Sequence, residues 1–137
     1  MRINLGVDDL AKGQLANPGW YPCEITKYEE KLASTDRSTN CICHFKIMTG
    51  EFQGATSRIQ LNEKAMGFGK NFFLALGAKY STNAQGKKEL KDFDLSPALV
   101  GKKLDVYIAR GTSNKGNDFN EAKDYAPLGT NSGYKVV

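Results

Sequence analysis

Two strands and the turn between them are predicted by one stretch of the sequence, residues 41–61, which read CICHFKIMTGEFQGATSRIQL. In Cys41–Met48, every odd-numbered residue is apolar, whereas the even-numbered positions include His44 and Lys46. This two-residue period is typical of a strand with one buried face. Ala55–Leu61 alternates in the same way, and a glycine stands at each end of the intervening turn. The stretch therefore predicts two consecutive strands of an antiparallel sheet.

The sequence on either side extends this pair. Trp20–Tyr28 is rich in aromatic and β-branched residues and predicts a preceding strand, joined to the pair by the polar cluster at 34–40. After the third strand, Asn62 is a good N-cap for a helix over Glu63–Leu76, and Gly77 is a suitable C-terminal residue. Two internal glycines weaken this helix, so we expect it to begin late or to bend.

Two further strands are predicted nearer the C-terminus. They cover Lys103–Arg110 and Phe119–Tyr125, and the polar loop at 111–118 joins them. A polar stretch at 79–91 precedes them and is expected to be a mobile insert. The resulting order, β-β-β-α-β-β, matches the OB-fold, a mainly β architecture with a five-stranded, partly open barrel.

The length and composition favour one ordinary domain. The chain has 137 residues, 40% of them hydrophobic, with a net charge of +4. We expect an OB-like domain at 19–127, an N-terminal extension at 1–18 and a short polar tail at 128–137. The sequence has neither a long apolar run nor the apolar start of a secretion signal, so a cytoplasmic protein without a membrane partner is expected. Its three cysteines are not expected to form disulfides.

The residue types offer little for catalysis or metal binding. His44 is the single histidine, and on a strand it points away from Cys41 and Cys43. That separation, with Cys-x-Cys rather than the usual Cys-x2-Cys spacing, disfavours a zinc site. We therefore expect no enzyme activity, no metal and no cofactor. Five aromatic residues and two cysteines are assigned to the core: Trp20, Tyr21, Cys41, Cys43, Phe45, Phe72 and Phe73.

Binding of a single-stranded nucleic acid needs a basic groove for phosphates and flat side chains for base stacking. In an OB-fold the ligand crosses strands two and three, beside the loops that join strands one to two and four to five. The basic candidates on these elements are Arg37, His44, Lys46, Arg58 and Lys115. The stacking candidates are Tyr28, Phe52, Tyr107 and Phe119. Their convergence predicts binding of single-stranded DNA, with RNA as a possible variant.

Four segments also resemble a known family. They are Pro18–Ile25, Phe45–Gly54, Asn71–Gly77 and Leu99–Lys102, which read PGWYPCEI, FKIMTGEFQG, NFFLALG and LVGK. In this order they resemble bacteriophage-encoded single-stranded-DNA-binding OB-fold proteins and related small phage early-region proteins. The similarity spans roughly residues 19–127.

The resemblance implies sequence-independent coating of single strands during phage replication, recombination or repair, in the cytoplasm of the infected bacterium. It leaves a homo-oligomer and replication or recombination proteins as candidate partners. Many single-strand binders end in an acidic tail that recruits such partners, but here no acidic residue follows Asp124. Recruitment through a tail is therefore not expected.

A second class of function remains open. An OB-like barrel can hold a peptide on the same face, and a net charge of +4 does not require a nucleic acid. The alternative is a protein-interaction module, such as a phage inhibitor or assembly factor. Binding to labelled oligonucleotides would separate the two hypotheses.

Overall fold

The computed structural model describes residues 1–6 and 13–135, which form one five-stranded antiparallel sheet, a small two-stranded sheet and one α-helix. The strands are β1 (Gly19–Leu32), β2 (Thr39–Ile47), β3 (Thr56–Asn62), β4 (Tyr80–Thr82), β5 (Lys88–Leu90), β6 (Lys103–Thr112) and β7 (Asp118–Pro127), and the helix is α1 (Lys70–Ala75). The large sheet has the order β3-β2-β1-β6-β7, so β3 and β7 are its edges. The predicted mainly β architecture with a helix after the third strand is confirmed at this level.

The alternation that predicts β2 and β3 places their side chains as expected, with one exception: Ile42, on the outward phase of β2 with His44, is buried. In β3, Ser57, Ile59 and Leu61 are buried, whereas Thr56, Arg58 and Gln60 are exposed. In β2, Cys41, Cys43, Phe45 and Ile47 lie in the core. Phe45 is fully buried, and its ring lies 5.9 Å from that of Phe72 on α1. The sheet therefore packs its inner face against the helix.

The helix begins late, as its glycines predict. The Asn62 side chain accepts a hydrogen bond from Lys64 N at 2.9 Å and caps a 3-10 segment, Glu63–Gly69, that leads into α1. Gly69 packs closely, because a Cβ there would lie 2.5 Å from Leu61 Cδ1. Gly77 follows α1 with a φ of 101°, a conformation that favours glycine.

The polar stretch at 79–91, expected to be a mobile insert, contains a hairpin. Strands β4 and β5 pair within it, and the side chain of Asn83 accepts hydrogen bonds from Gln85 N and Lys87 N, both at 3.0 Å. An asparagine that bonds its own backbone in this way stabilises a tight turn. The sequence prediction missed the pairing because each strand is only three residues long.

Strand β1 contains an irregularity that reverses its alternation. Ile25 pairs with Phe45, but the next pair is Lys27 with His44, so Thr26 is an extra residue in β1. Tyr28 consequently pairs with Cys43 on the inner face, and its hydroxyl donates a hydrogen bond to Leu95 O at 3.1 Å. The predicted outward position of Tyr28 is wrong, because alternation was continued through the bulge.

Trp20 is the other misplaced aromatic residue of β1. It pairs with Tyr107 of β6, and the two rings meet edge to face with their centroids 5.6 Å apart. Trp20 is half-buried, on the opposite phase from the fully buried Cys23 and Ile25. Its predicted core position is therefore wrong, and strict alternation from Tyr21 would have given the correct face.

Parts of both terminal segments contact the domain. Ala16 is buried, and its N–H donates a hydrogen bond to Asn120 Oδ1 at 2.9 Å. After β7, residues 129–132 fold back on the buried carboxylate of Asp105. The predicted N-terminal extension and C-terminal tail are thus partly integrated into the fold. Within these two segments, residues 7–12 and 136–137 lie outside the described residues. Across 1–6 and 13–135, no helix has the length and apolar character to span a membrane.

Candidate nucleic-acid interface

Side-chain hydrogen bonds link the two edges of the large sheet. Ser57 Oγ on β3 donates to Asn120 O on β7 at 2.7 Å, and Asn120 Nδ2 donates to Thr56 O at 3.1 Å. The same amide nitrogen donates to Gln14 O at 2.8 Å. Asn120 therefore ties β3, β7 and the segment before β1 together without a regular strand pairing between β3 and β7.

A cleft of about 720 Å³ lies over this junction. Its walls come from β2 and β3 on one side and from β7 and the preceding loop on the other. The lining residues are His44, Thr56, Ser57, Arg58, Gln60, Thr112, Ser113, Asn114, Phe119, Asn120, Glu121 and Ala122. Apart from Phe119 and Ala122 they are polar or charged, so the cleft combines hydrogen-bonding groups with one large aromatic surface.

Phe119 forms the aromatic wall. It is 44% exposed, and it pairs with Gly111 of β6. A Cβ on Gly111 would lie 2.6 Å from Phe119 Cζ and 2.8 Å from Glu121 Oε2. The ring and the carboxylate therefore occupy the space that a side chain at position 111 would fill. A side chain at position 111 would therefore displace one or both of these groups.

Acidic residues interrupt the basic outer face of β1 and β2. Glu29 Oε1 lies 2.9 Å from His44 Nε2, and the ammonium groups of Lys27 and Lys31 approach the same carboxylate at 3.5 and 3.7 Å. The hydrogen bond to His44 is the largest cause of the lowered pKa of Glu29; burial opposes it, and the two lysines add to it. His44 is thus engaged with a carboxylate, whereas Arg58, its partner in the pairing of β2 with β3, is exposed at the cleft.

The structure brings three of the nine predicted binding residues into the cleft lining, namely His44, Arg58 and Phe119. Lys46 lies on the same outer face and pairs with Thr56, which also lines the cleft. The other five predicted residues are not part of the lining: Tyr28, Arg37, Phe52, Tyr107 and Lys115.

Two of those five are aromatic residues that pack against other rings. Phe52 lies in the turn between β2 and β3, half-buried and edge-on to Tyr21, with the centroids 6.1 Å apart. Its predicted exposure is wrong, because the turn folds back onto the core. Tyr107 does lie on the outward phase of β6, but it contacts Trp20 and not the cleft.

The two basic residues among those five, Arg37 and Lys115, lie in the loops between paired strands. Arg37 is exposed between β1 and β2 with a φ of 60°. Lys115 is exposed at the tip of the β6–β7 hairpin, where Gly116 N donates to Ser113 O at 2.9 Å. Of the two loops predicted to flank the ligand, only the β6–β7 loop contributes to the described cleft, through Ser113 and Asn114.

The sequence prediction missed Asn114, Asn120 and Glu121. A signal for Glu121 was present, because it lies two residues after Phe119 and must share its face of β7. The role of Asn120 had no local signal, since its partners Gln14 and Thr56 are distant in the sequence.

Two of the three buried thiols, those of Cys23 and Cys43, are unsuited to nucleophilic or metal chemistry in their present surroundings. Burial, with a smaller contribution from Asp105, raises the pKa of Cys23 to about 12. Burial, with a smaller contribution from Cys41, raises the pKa of Cys43 to about 11. Both thiols are protonated at neutral pH, whereas nucleophilic attack and metal ligation require the thiolate. Within residues 1–6 and 13–135, no group of three or more His, Cys, Asp and Glu side chains is arranged to hold a metal ion.

Comparison with known proteins does not assign the chain to a group. No protein-family model matches the sequence, and a search of curated proteins finds no match. The chemistry of the cleft is therefore the basis for a functional hypothesis.

Proposed function

We propose that the cleft between β3 and β7 binds single-stranded DNA and that the protein is a non-enzymatic binder. The observation that carries this proposal is the exposed ring of Phe119 in the same cleft as the guanidinium of Arg58. Stacking of bases on an aromatic ring, together with a cation for the phosphates, is the combination used by proteins that bind single strands without a sequence requirement.

The position of the cleft supports an OB-like mode of binding. OB-folds bind oligonucleotides across strands two and three, beside the loop that joins strands four and five. The corresponding elements here are β2, β3 and the loop between β6 and β7, and all three line the cleft. The hydrogen bonds between the edges β3 and β7 favour a partly open barrel.

The charge distribution favours contact with a few phosphates and not with a long track of them. On the outer face of β1, β2 and β3, Lys27, Lys31, Lys46 and Arg58 outnumber Glu24 and Glu29. Because Glu29 is held by His44 and two lysines, a phosphate at His44 must compete with an internal carboxylate. Arg58 is the better phosphate ligand, since it lies in the cleft beside this network.

A biological role follows from the resemblance to phage single-strand binders. We propose that the protein covers single strands exposed during replication, recombination or repair of a phage genome. Homo-oligomer formation and contacts with replication or recombination proteins are part of this proposal, as is a location in the cytoplasm of the host.

Fluorescence anisotropy with labelled oligonucleotides tests the binding directly. We expect micromolar or tighter binding to a single strand at low salt, and much weaker binding to the matching duplex, whose bases cannot reach Phe119. Absence of binding to single strands at low salt would refute the proposal.

One observation favours the alternative, a protein-interaction module. Phe68 in the 3-10 segment before α1 is 87% exposed and lies outside the cleft. Large exposed aromatic side chains are common in protein interfaces. If the chain binds no oligonucleotide, the informative experiment is a search for bound host proteins. Comparing wild type with Phe68→Ser then shows whether their binding depends on this side chain.

A further inference from the structure

The cleft contains a group that a purely phosphate-binding surface would not need, the carboxylate of Glu121. It lies two residues after Phe119 on the same face of β7. Its Oε2 and the Cζ atom of Phe119 both approach the position of a Cβ on Gly111, at 2.8 and 2.6 Å. The carboxylate is therefore beside the far end of the ring on which a base would stack.

The two oxygens of this carboxylate have different surroundings. Oε1 forms an ion pair with Lys123 Nζ at 3.1 Å. Oε2 is the oxygen next to the Phe119 ring. Because the lysine pairs with Oε1 and Glu121 lines the cleft, Oε2 is left beside the ring as a hydrogen-bond acceptor.

An ionised carboxylate can only accept hydrogen bonds, so it discriminates between base edges. Cytosine, adenine and guanine each carry an exocyclic amino group that can donate to it, and carboxylates read cytosine N4 in this way. Uracil and thymine present a carbonyl oxygen at the same position as cytosine N4. That oxygen would meet Oε2 with its lone pairs, so a repulsive contact would replace the hydrogen bond.

We propose that Glu121 makes one position of the cleft selective for a base with an exocyclic amino group, held with its face on Phe119 and its amino edge on Oε2. This inference rests on the proposed binding of single strands and adds a base preference at that position. Neighbouring nucleotides are bound through stacking and phosphate contacts without a preference.

Oligo(dC) and oligo(dU) of equal length provide the test. Their rings have the same size and both lack the thymine methyl group, so they differ at the edge that Glu121 would contact. At mildly alkaline pH, where cytosine is neutral, we expect the wild-type chain to bind oligo(dC) about tenfold more tightly. In Glu121→Gln, the ratio should fall close to one, because an amide can both donate and accept.

Glu89→Gln is the matched control. Glu89 and Lys91 form a similar pair two residues apart, with Oε1 and Nζ 3.3 Å from each other, in the β4–β5 region outside the cleft. This variant removes the same charge and should keep the tenfold ratio. Phe119→Ala should weaken binding of both oligonucleotides.

The outcomes separate the inference from the function on which it rests. Equal binding of oligo(dC) and oligo(dU) by the wild-type chain, or an unchanged preference in Glu121→Gln, overturns the base selectivity and leaves single-strand binding intact. Absence of binding to either oligonucleotide at low salt overturns both.

Discussion

Ser57 and Asn120, 63 residues apart in the chain, are joined by a hydrogen bond of 2.7 Å from the serine hydroxyl to the asparagine main-chain oxygen. This bond connects the two edge strands of the sheet beneath the cleft. Any ligand that contacts both Arg58 and Phe119 depends on it, because those side chains come from the two strands so joined.

Removing the Asn120 side chain should destabilise the domain. Asn120→Ala eliminates the hydrogen bonds that its amide donates to Gln14 O and Thr56 O and the one that it accepts from Ala16 N, and we expect the free energy of unfolding to fall by about 2 to 3 kcal/mol. Urea denaturation measures this. Asn71→Ala removes an exposed hydrogen bond to Asp124 and should cost less than about 1 kcal/mol. Equal losses in the two variants would contradict the bridging role of Asn120.

The buried carboxylate of Asp105 should make stability sensitive to acid. It accepts hydrogen bonds of 2.7 to 3.0 Å from Gly129 N, Asn131 N, Ser132 N and Ser132 Oγ. Burial raises its pKa, but these hydrogen bonds outweigh burial and hold the pKa below its usual value. The stabilisation is therefore complete above the unfolded pKa of about 4 and is lost as the pH falls through the lower folded pKa.

The variant Asp105→Asn isolates this contribution. An amide offers one acceptor oxygen in place of two, so we expect a loss of about 2 to 4 kcal/mol at neutral pH and a flatter loss of stability in acid. Urea denaturation at a series of pH values provides both readouts. An acid response as steep as that of the wild type would show that other carboxylates dominate, such as Asp36, whose hydrogen bond with Lys64 is the largest of several causes that lower its pKa to about 2.

Substitutions of two phenylalanines should separate stacking from packing. Phe119→Ala should weaken binding of single strands by about 1 to 3 kcal/mol and leave the Tm within a few degrees. Phe45 is fully buried, so Phe45→Ala should cost the fold about 3 to 5 kcal/mol. Tyr107→Ala is the control for an outward aromatic residue away from the cleft and should leave binding unchanged. Loss of binding in Tyr107→Ala but not in Phe119→Ala would place the ligand at the Trp20–Tyr107 ring pair and not in the cleft, which would contradict our proposal.

Arg58 should account for one phosphate contact in the salt dependence of binding. Each contact to a single strand contributes about −0.7 to the slope of log K against log salt concentration. Arg58→Gln should therefore flatten the slope by about that amount while the domain remains folded. Lys87→Gln removes an exposed charge next to β5 and should leave the slope unchanged. Identical slopes in wild type and Arg58→Gln would argue against a phosphate at Arg58.

Gly111→Ala should perturb the cleft without removing any of its functional groups. The added Cβ would lie 2.6 Å from Phe119 Cζ, so the ring must rotate away. We expect weaker binding than in the wild type, but a smaller loss than in Phe119→Ala, as measured by anisotropy. Unchanged binding would mean that the position of the ring is not important for the ligand.

The sequence by itself determined the features that depend on neighbouring residues. Alternation in β3 correctly separates the buried Ser57 from the exposed Arg58, because successive side chains of a strand point to opposite faces. Asn62 and Gly77 mark the limits of the helical region for equally local reasons, a side-chain cap and a positive φ. The order of the long elements follows from the same signals.

Only the tertiary structure decided which residues meet. The extra residue Thr26 turns Tyr28 toward the core, and nothing in the local sequence distinguishes this bulge from regular alternation. Arg58 and Phe119 share a cleft because the edges β3 and β7 come together, an arrangement held by contacts between residues that are far apart in the chain. The kinds of residue that form a binding surface could thus be predicted. Which individual residues come together depended on the bulge and on the meeting of the two edges, and these are properties of the whole sheet.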